Sequence, residues 1–384
     1  MKNKIWKVLS YILVAAAASA VSFVFMAGEM AKRDTKLYEL SQLIEARFIE
    51  DADMAKVEDA AAMAMVYSLG DRWSYYISAE EYLAYAEQMN NAYVGIGVTI
   101  VASEDGSGVE VMKVEPNGPA MDAGIQVGDL IVGVEGLNAA EMTTTEMRDL
   151  VRGKEGTFVT LTISRAGETF DLAVERRTVK TAVATGQMLE NNVGLVTIYN
   201  FDSRCASESI AAIEDLISQG AESLIFDVRN NPGGYKDELV KLLDYLLPEG
   251  PLFRSEDYKG TVLVDKSDEK CLKMPMAVVV NEDSYSAAEF FAAALSEYNW
   301  AIVTGMQTSG KGYFQMTYRL SDGSAVALSS GKYTTPNGVS LQNVGIVPDV
   351  VTEVDEETAY RVYAGILEPN EDPQIQAAVK ALLP

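Results

Sequence analysis

From Val193 onward, apolar strand-like runs alternate with helical stretches: "VGLVTIYNF", "SESIAAIEDLISQG", "ESLIFDVR", "KDELVKLLDYLLP", "MPMAVVVN", "SAAEFFAAALSEY" and "WAIVTG". Such alternation predicts a sheet covered by helices. Turn residues close each piece, so no long structureless loop is required. Only the acidic run "SEDYKGTVLVDKSDEK" interrupts the pattern, and it reads as a solvated excursion.

The earlier part of the chain has a different texture. Between Asp34 and Gln88 apolar positions such as Leu37, Leu40, Ile44 and Phe48, then Met63, Val66 and Tyr67, recur at helical spacing, which predicts helices packing on a core. A further helix is expected to start at Ser78, with Glu81 as its capping-box partner. From Tyr93 to about Arg177 the pattern turns to short strands and glycine turns: "YVGIGVTIV", "VEPNGPAMDAGIQVGDLIVGVEG", the short helix "TTTEMRDLVRG", then "TFVTLTISRAG" and "TFDLAVERR". At the N-terminus, Lys2, Lys4 and Lys7 precede an uncharged run, Val8 to Gly28, long enough to cross a membrane as a helix. Ala18-Ser19-Ala20 also offers a signal-peptide cleavage pattern. An uncleaved anchor with the lysines inside is the favoured reading, and in both cases the remainder works outside the cytoplasm.

Composition removes whole classes of chemistry. The 384 residues include no histidine, which excludes Ser-His-Asp and Cys-His sites and every imidazole metal ligand. Two cysteines, Cys205 and Cys271, are too few for a thiolate zinc site and read as idle thiols, although a disulfide between them stays open. The net charge of −25 disfavours nucleic acid. No cofactor and no metal are expected.

The stretch "GMQTSGKGYFQ" begins like a phosphate-binding loop, but Gly312 stands where Ser or Thr is needed, and "YFQMTYRL" continues at the strand period rather than as a helix. Lys311 is therefore better read as a base, which requires a nearby hydroxyl. Ser286 stands where "MAVVV" gives way to "SAAEFFAAALSEY", at a strand-to-helix crossing with the positive end of a helix dipole ahead of it. Ser286-x-x-Glu289 is also a capping box, and Ser284 is a rival nucleophile. The backbone N–H of Ala287, with a second from the Gly233-Gly234 turn of "DVRNNPGG", offers an oxyanion site. Ser267-x-x-Lys270 has the spacing of a β-lactamase nucleophile, but neither S-D-N nor K-T-G follows, so it reads as coincidence.

Two resemblances add to this. The segment from Tyr93 to Arg177 looks like a PDZ domain of the bacterial protease type, which binds a protein's C-terminal tail as an added strand and holds the terminal carboxylate on backbone N–H groups. The resemblance puts Gly95, Ile96, Gly97 and Val98 at that loop. The segments "SYSAAE", "GKG" and "YFQ", together with "SLGDRWSYYIS", "GIGV", "LVRGKEGT", "DVRNNPGG", "YTTPNG" and "VGIVPDV", resemble the C-terminal processing peptidases, or tail-specific proteases. The likeness runs from about residue 35 to 380. It implies Ser286 as nucleophile, Lys311 as base and Gln315 as the amide that orients the lysine without adding charge. It also places Arg152 at the PDZ border, either coupling tail occupancy to the active arrangement or solvated at a helix end. Asp283 and Tyr285 beside the serine, and Met306-Gln307, depart from the family pattern and bear on substrate preference.

The expected architecture is an α+β / α/β multidomain chain: a membrane anchor or signal segment (1–30), an N-terminal helical region (31–92), a PDZ-like β-rich domain (93–178) and a β/α serine-peptidase core with C-terminal region (179–384). The expected activity is hydrolysis of protein or peptide substrates bound by their C-terminal tails, through an acyl-enzyme. An inactive, membrane-tethered PDZ scaffold is the alternative. Homo-oligomerisation stays open. A neutral lysine at pH 7 requires about 4–5 kcal/mol of bias against the ammonium, since its ordinary pKa is about 10.4.

Overall fold

The computed structural model describes residues 35–103 and 105–383. Contacts divide the chain into two units, one ending at Ser78 and the other running from Ala79. The anchor expected over Val8–Gly28 lies outside the described residues. Among the described residues no helix is long and apolar enough to cross a membrane.

The first unit contains helix α1 (Thr35–Arg47), helix α2 (Met54–Tyr67) and strand β1 (Tyr75–Ile77). Asp53 caps α2 by accepting the Lys56 N–H at 3.3 Å. Among the described residues these helices bury less than expected: Leu37, Leu40, Phe48, Met63 and Tyr67 are exposed, Ile44 and Val66 are half-buried, and α2 has no fully buried residue. Two short helices are too small to close a core of their own.

The second unit opens with α3 (Tyr82–Met89), which starts after the expected Ser78 because residues 79–81 form a turn and Glu81 is the N-cap. Next come β2 (Ala92–Gly95), β3 (Val98–Ala102), β4 (Val109–Val114), α4 (Pro119–Asp122), β5 (Leu130–Val134), β6 (Leu137–Asn138), α5 (Thr144–Val151), β7 (Phe158–Arg165), β8 (Glu168–Glu175) and β9 (Arg177–Lys180). Strands β3-β4-β5-β7-β8 form one antiparallel sheet with β6 on β5, while β2 pairs with β9. Its core of Val111, Ile131, Val134, Val159, Leu161 and Ile163 is closed by Met147 from α5. The β3 strand sits at the edge of this sheet.

The remaining elements are β10 (Ala184–Met188), β11 (Val193–Ile198), α6 (Cys205–Ser218), β12 (Ser223–Asp227), α7 (Lys236–Leu246), β13 (Gly250–Asp257), β14 (Val262–Ser267), β15 (Met276–Val280), α8 (Ala287–Glu297), β16 (Ala301–Gly305), β17 (Tyr313–Arg319), β18 (Ala325–Thr334), β19 (Val350–Val351), α9 (Glu356–Tyr363) and α10 (Pro373–Leu382). Strands β10-β11-β12-β15-β16-β19 form the predicted sheet, parallel except for β10 at its edge. Alternate side chains enter two cores. Leu224, Phe226, Met276, Val278 and Val280 meet α6, α7 and α8 on one face. Ile225, Ala277 and Val279 meet Ile375 and Ala378 of α10 on the other. Burial on both faces is why "MAVVV" reads as an unbroken apolar run rather than an alternating one.

The run expected as a solvated excursion is instead the β13–β14 hairpin, whose turn is held by Asp257 Oδ1 accepting from Lys259 N and Thr261 N, both at 2.8 Å. Strand β18 pairs with both β13 and β17. Ser267 is buried there and donates to Pro248 O at 2.5 Å, so its spacing from Lys270 is indeed coincidental. Both cysteines are free; Cys205 is buried, and burial pushes its thiol up to about 12.

Candidate active site

Strand β15, paired in parallel with β12 and β16, delivers the chain to the C-terminal end of these strands, and residues 281–286 turn it into α8. Ser286 is the N-cap, with φ 60° and ψ −121°. A non-glycine residue held there stores strain of about 1–3 kcal/mol, and such strain persists only where neighbours over-determine the backbone. The neighbours are specific. Tyr285 N donates to Asn231 O at 3.2 Å, Ser284 N to Asn281 O at 2.9 Å, and Ser286 N to the Glu289 carboxylate at 3.1 Å. The Ser286–Glu289 capping box is formed. The capping role expected of Ser286 is therefore present in the fold. The rival Ser284 is fully buried, and its hydroxyl donates to Val228 O at 2.8 Å, tying β12 to this corner. It has a structural task.

Glu289, met in the sequence only as a capping partner, organises the site. Its carboxylate is fully buried and accepts from Thr308 Oγ1 at 2.5 Å, Gly310 N at 2.6 Å and Lys311 N at 2.8 Å, in addition to Ser286 N. Burial pushes this carboxyl up, and the four hydrogen bonds oppose the rise. One side chain thus fastens the lysine loop to the serine corner. Ser309 N adds a bond to Ser284 O at 3.3 Å. The glycine fence around Lys311 has a steric cause. A Cβ on Gly310, whose φ is +81°, would stand 2.9 Å from Val344 N, and one on Gly312 would stand 2.7 Å from Gln342 N. Gly312 N also donates to Gln342 Oε1 at 2.7 Å.

Lys311 Nζ lies 5.7 Å from the centre of the Tyr285 ring, beside Ser286 in the chain. Tyr333 on β18 is buried and its hydroxyl donates to Lys311 O. Burial and the nearby Glu289 charge hold that hydroxyl above its ordinary pKa, against a hydrogen bond with Ser286. Sequence reasoning missed Tyr333 because "KYTTPNG" reads locally as a strand leading into a turn. Gln315 follows a register irregularity in β17, and its amide nitrogen donates to Ser329 Oγ at 2.9 Å and Tyr313 O at 3.3 Å.

The glycine turn is brought to the same corner. A Cβ on Gly233, at φ +86°, would stand 2.7 Å from Ser286 Cβ and 2.8 Å from Ala287 N. Ala287 is the first residue of α8, where a backbone N–H has no intrahelical acceptor. The Gly233 N–H donates to Asn231 Oδ1 at 2.8 Å. What Gly233 supplies in this arrangement is space. Asn231, also missed, is fully buried and donates from Nδ2 to Ile198 O at 2.7 Å. Arg229 anchors the start of the turn through Asp227, Asp372 and Gln374. Gly234 packs against Asp202: a Cβ there would stand 2.6 Å from Asp202 Oδ1. Asp202 is buried, Oδ1 has no hydrogen-bond partner among the described residues, and burial raises its carboxyl to about 7.

Away from this corner, the edge strand β3 and helix α5 flank a cavity of about 290 Å³. Gly95, Ile96, Gly97, Val98 and Arg152 all line it. Gly97 has φ +79°, in the region that favours glycine. Arg152 is the C-cap of α5; it pairs with Glu87 of α3 at 3.0 Å and lies 5.1 Å from the Tyr93 ring centre, so it is not a merely solvated side chain. Among the described residues no group of three or more acidic or cysteine side chains could hold a metal ion.

Residues 192–352 match peptidase family S41, and residues 110–165 match the PDZ domain. The carboxy-terminal processing protease CtpA of Bacillus subtilis is 31% identical over 372 residues, covering 93% of this chain and 79% of that protein. A probable CtpA-like serine protease of Staphylococcus epidermidis is 30% identical, covering 91% and 74%. The solved photosystem II D1 C-terminal processing protease is 27% identical with a TM-score of 0.47, covering 83% of this chain and 87% of that one. With a relative of such identity along nearly its whole length, the chain belongs to peptidase family S41 and is a serine-type C-terminal processing protease that carries a PDZ domain.

Proposed function

We propose that the protease works through Ser286, Lys311 and Gln315 on protein or peptide substrates whose C-terminal tails occupy the groove between β3 and α5. The observation that carries this reading is the Glu289 carboxylate, which accepts the backbone N–H of Ser286 and those of Gly310 and Lys311 together. Ser286 attacks the scissile carbonyl while Lys311, acting neutral, takes the hydroxyl proton and returns it to the leaving amine; water then resolves the acyl-enzyme. The N–H of Ala287 holds the oxyanion, joined by that of Gly234, or by that of Gly233 once it is released from Asn231. Gln315 orients the amine through its carbonyl oxygen while its nitrogen is held by Ser329. Arg152, joined to Glu87, carries tail occupancy towards the core.

The test is digestion of a protein bearing a free C-terminal tail. Wild type cleaves it, whereas Ser286→Ala and Lys311→Ala, folded by circular dichroism, do not. Undiminished cleavage by either variant refutes the assignment.

The location is part of the same proposal. The run Val8 to Gly28 anchors the chain with its catalytic part outside the cytoplasm, or releases it if cleaved. N-terminal mass spectrometry of the membrane and soluble fractions distinguishes the two. Self-association would cover exposed Leu37, Leu40 and Met63, and sedimentation velocity tests it.

A further inference from the structure

The residue before Ser286 faces Lys311. The lysine Nζ lies 5.7 Å from the centre of the Tyr285 ring, inside the roughly 6 Å within which an aromatic face attracts a cation. Both partners are fixed through their backbones. Tyr285 N donates to Asn231 O at 3.2 Å, and its carbonyl accepts from Ala288 N at 3.3 Å. The glycine turn presses on that same carbonyl, which a Cβ on Gly233 would meet at 2.9 Å. On the other side, the Glu289 carboxylate accepts from Lys311 N and the Tyr333 hydroxyl donates to Lys311 O. Both side chains are half-buried, so the fold of the corner, not a chance meeting of surface groups, brings ring and amine together.

The quadrupole of a ring attracts an ammonium and gives a neutral amine nothing comparable. Contact with Tyr285 therefore works against the state that Lys311 needs as a base. The other titratable groups around the lysine loop are the buried Glu289 carboxyl, the buried Tyr333 hydroxyl, Tyr313 at the start of β17 and, on the serine corner, the exposed Glu282 and Asp283. The facing loop 342–345 carries none. All of these stay in place when residue 285 alone is replaced, so a difference between such variants reports the ring.

We propose that Tyr285 is a positioning residue that holds Lys311 towards its ammonium form and thereby sets the lower pH limit of peptide hydrolysis. This rests on the reading of Lys311 as the base. The test compares pH profiles of kcat/KM for wild type, Tyr285→Phe and Tyr285→Leu on a quenched peptide without ionisable side chains. Leu keeps apolar bulk beside the amine but has no quadrupole. Its acidic limb should move to lower pH by roughly half a unit to one unit, whereas the Phe limb should stay with wild type. A merely structural role for Tyr285 would lower Tm and kcat and leave the limb in place. Pulses of acetic anhydride followed by peptide mass spectrometry read the neutral fraction of Lys311 in each folded chain, so a variant with weak turnover still reports. A Leu limb and a Leu titration that coincide with wild type overturn the proposal. So does a move to higher pH, which would show that the ring acts by excluding water. Cleavage that survives in Lys311→Ala removes the lysine as base, and the proposal with it.

Discussion

Replacing Asp202 by Asn isolates the energetic effect of one buried carboxyl beside the glycine turn. In the folded chain this group ionises at about 7 instead of 3.8, because burial removes the anion from water and Oδ1 gains no hydrogen bond in return. A raised acid is a cost, not a gain, at neutral pH. Below the unfolded value both states hold the proton and the penalty vanishes. Between the two values the folded state holds a proton that the unfolded state has lost, so stability falls as pH rises, and above about 7 the full penalty is present. Asn keeps the shape of the neutral acid and cannot ionise. Integrating between the two values, the variant should gain about 2 kcal/mol at pH 5 and about 4 kcal/mol at pH 8. At 2–4 °C per kcal/mol for a core of this size, the difference in Tm between variant and parent should widen by roughly 5–10 °C from pH 5 to pH 8. Paired thermal melts in the two buffers measure this, and groups common to both chains cancel. An equal difference in Tm at both pH values would refute the reasoning, as would a variant destabilised at both.

Three further outcomes follow from the site. Glu289→Gln sets an amide N–H against donors that now meet a carboxylate, so it should destabilise the core by about 3 kcal/mol and abolish peptide hydrolysis; melts and a quenched-peptide assay check both. Gly233→Ala places a methyl 2.7 Å from Ser286 Cβ at a φ unsuited to alanine, so it should lower kcat at least a hundredfold, and near-normal turnover would count against the corner as drawn. Gln315→Glu puts a negative charge near the proposed base and should favour its ammonium form. The acidic limb of kcat/KM should then move to higher pH, and an unmoved limb would detach Gln315 from the lysine.

Much of the molecule could be read in order along the chain, because the signals involved are local. The sheet from β11 to β16 followed from apolar runs and helix-length spacers, and the positions of Ser286 and Lys311 from a strand-to-helix boundary and a glycine fence. The errors came where local pattern ceases to be informative. Charged residues made "SEDYKGTVLVDKSDEK" read as a solvated excursion, whereas it folds as the β13–β14 hairpin, in which β13 pairs with β18 and β14 with β13. Helical periodicity in α1 and α2 promised burial that two short helices alone do not provide.

The sequence by itself therefore determined which segments become strands and helices, and where the backbone has to turn without a side chain. Only the tertiary structure decided how distant polar groups are matched. It chose Ser284 as a strut and Ser286 as the strained corner, gave Glu289 its donors from the lysine loop, and occupied the Gly233 N–H with Asn231. The physical reason is that periodicity reflects forces acting within a few residues. A buried hydrogen bond between positions far apart in the chain exists only once the sheet has brought its two ends together.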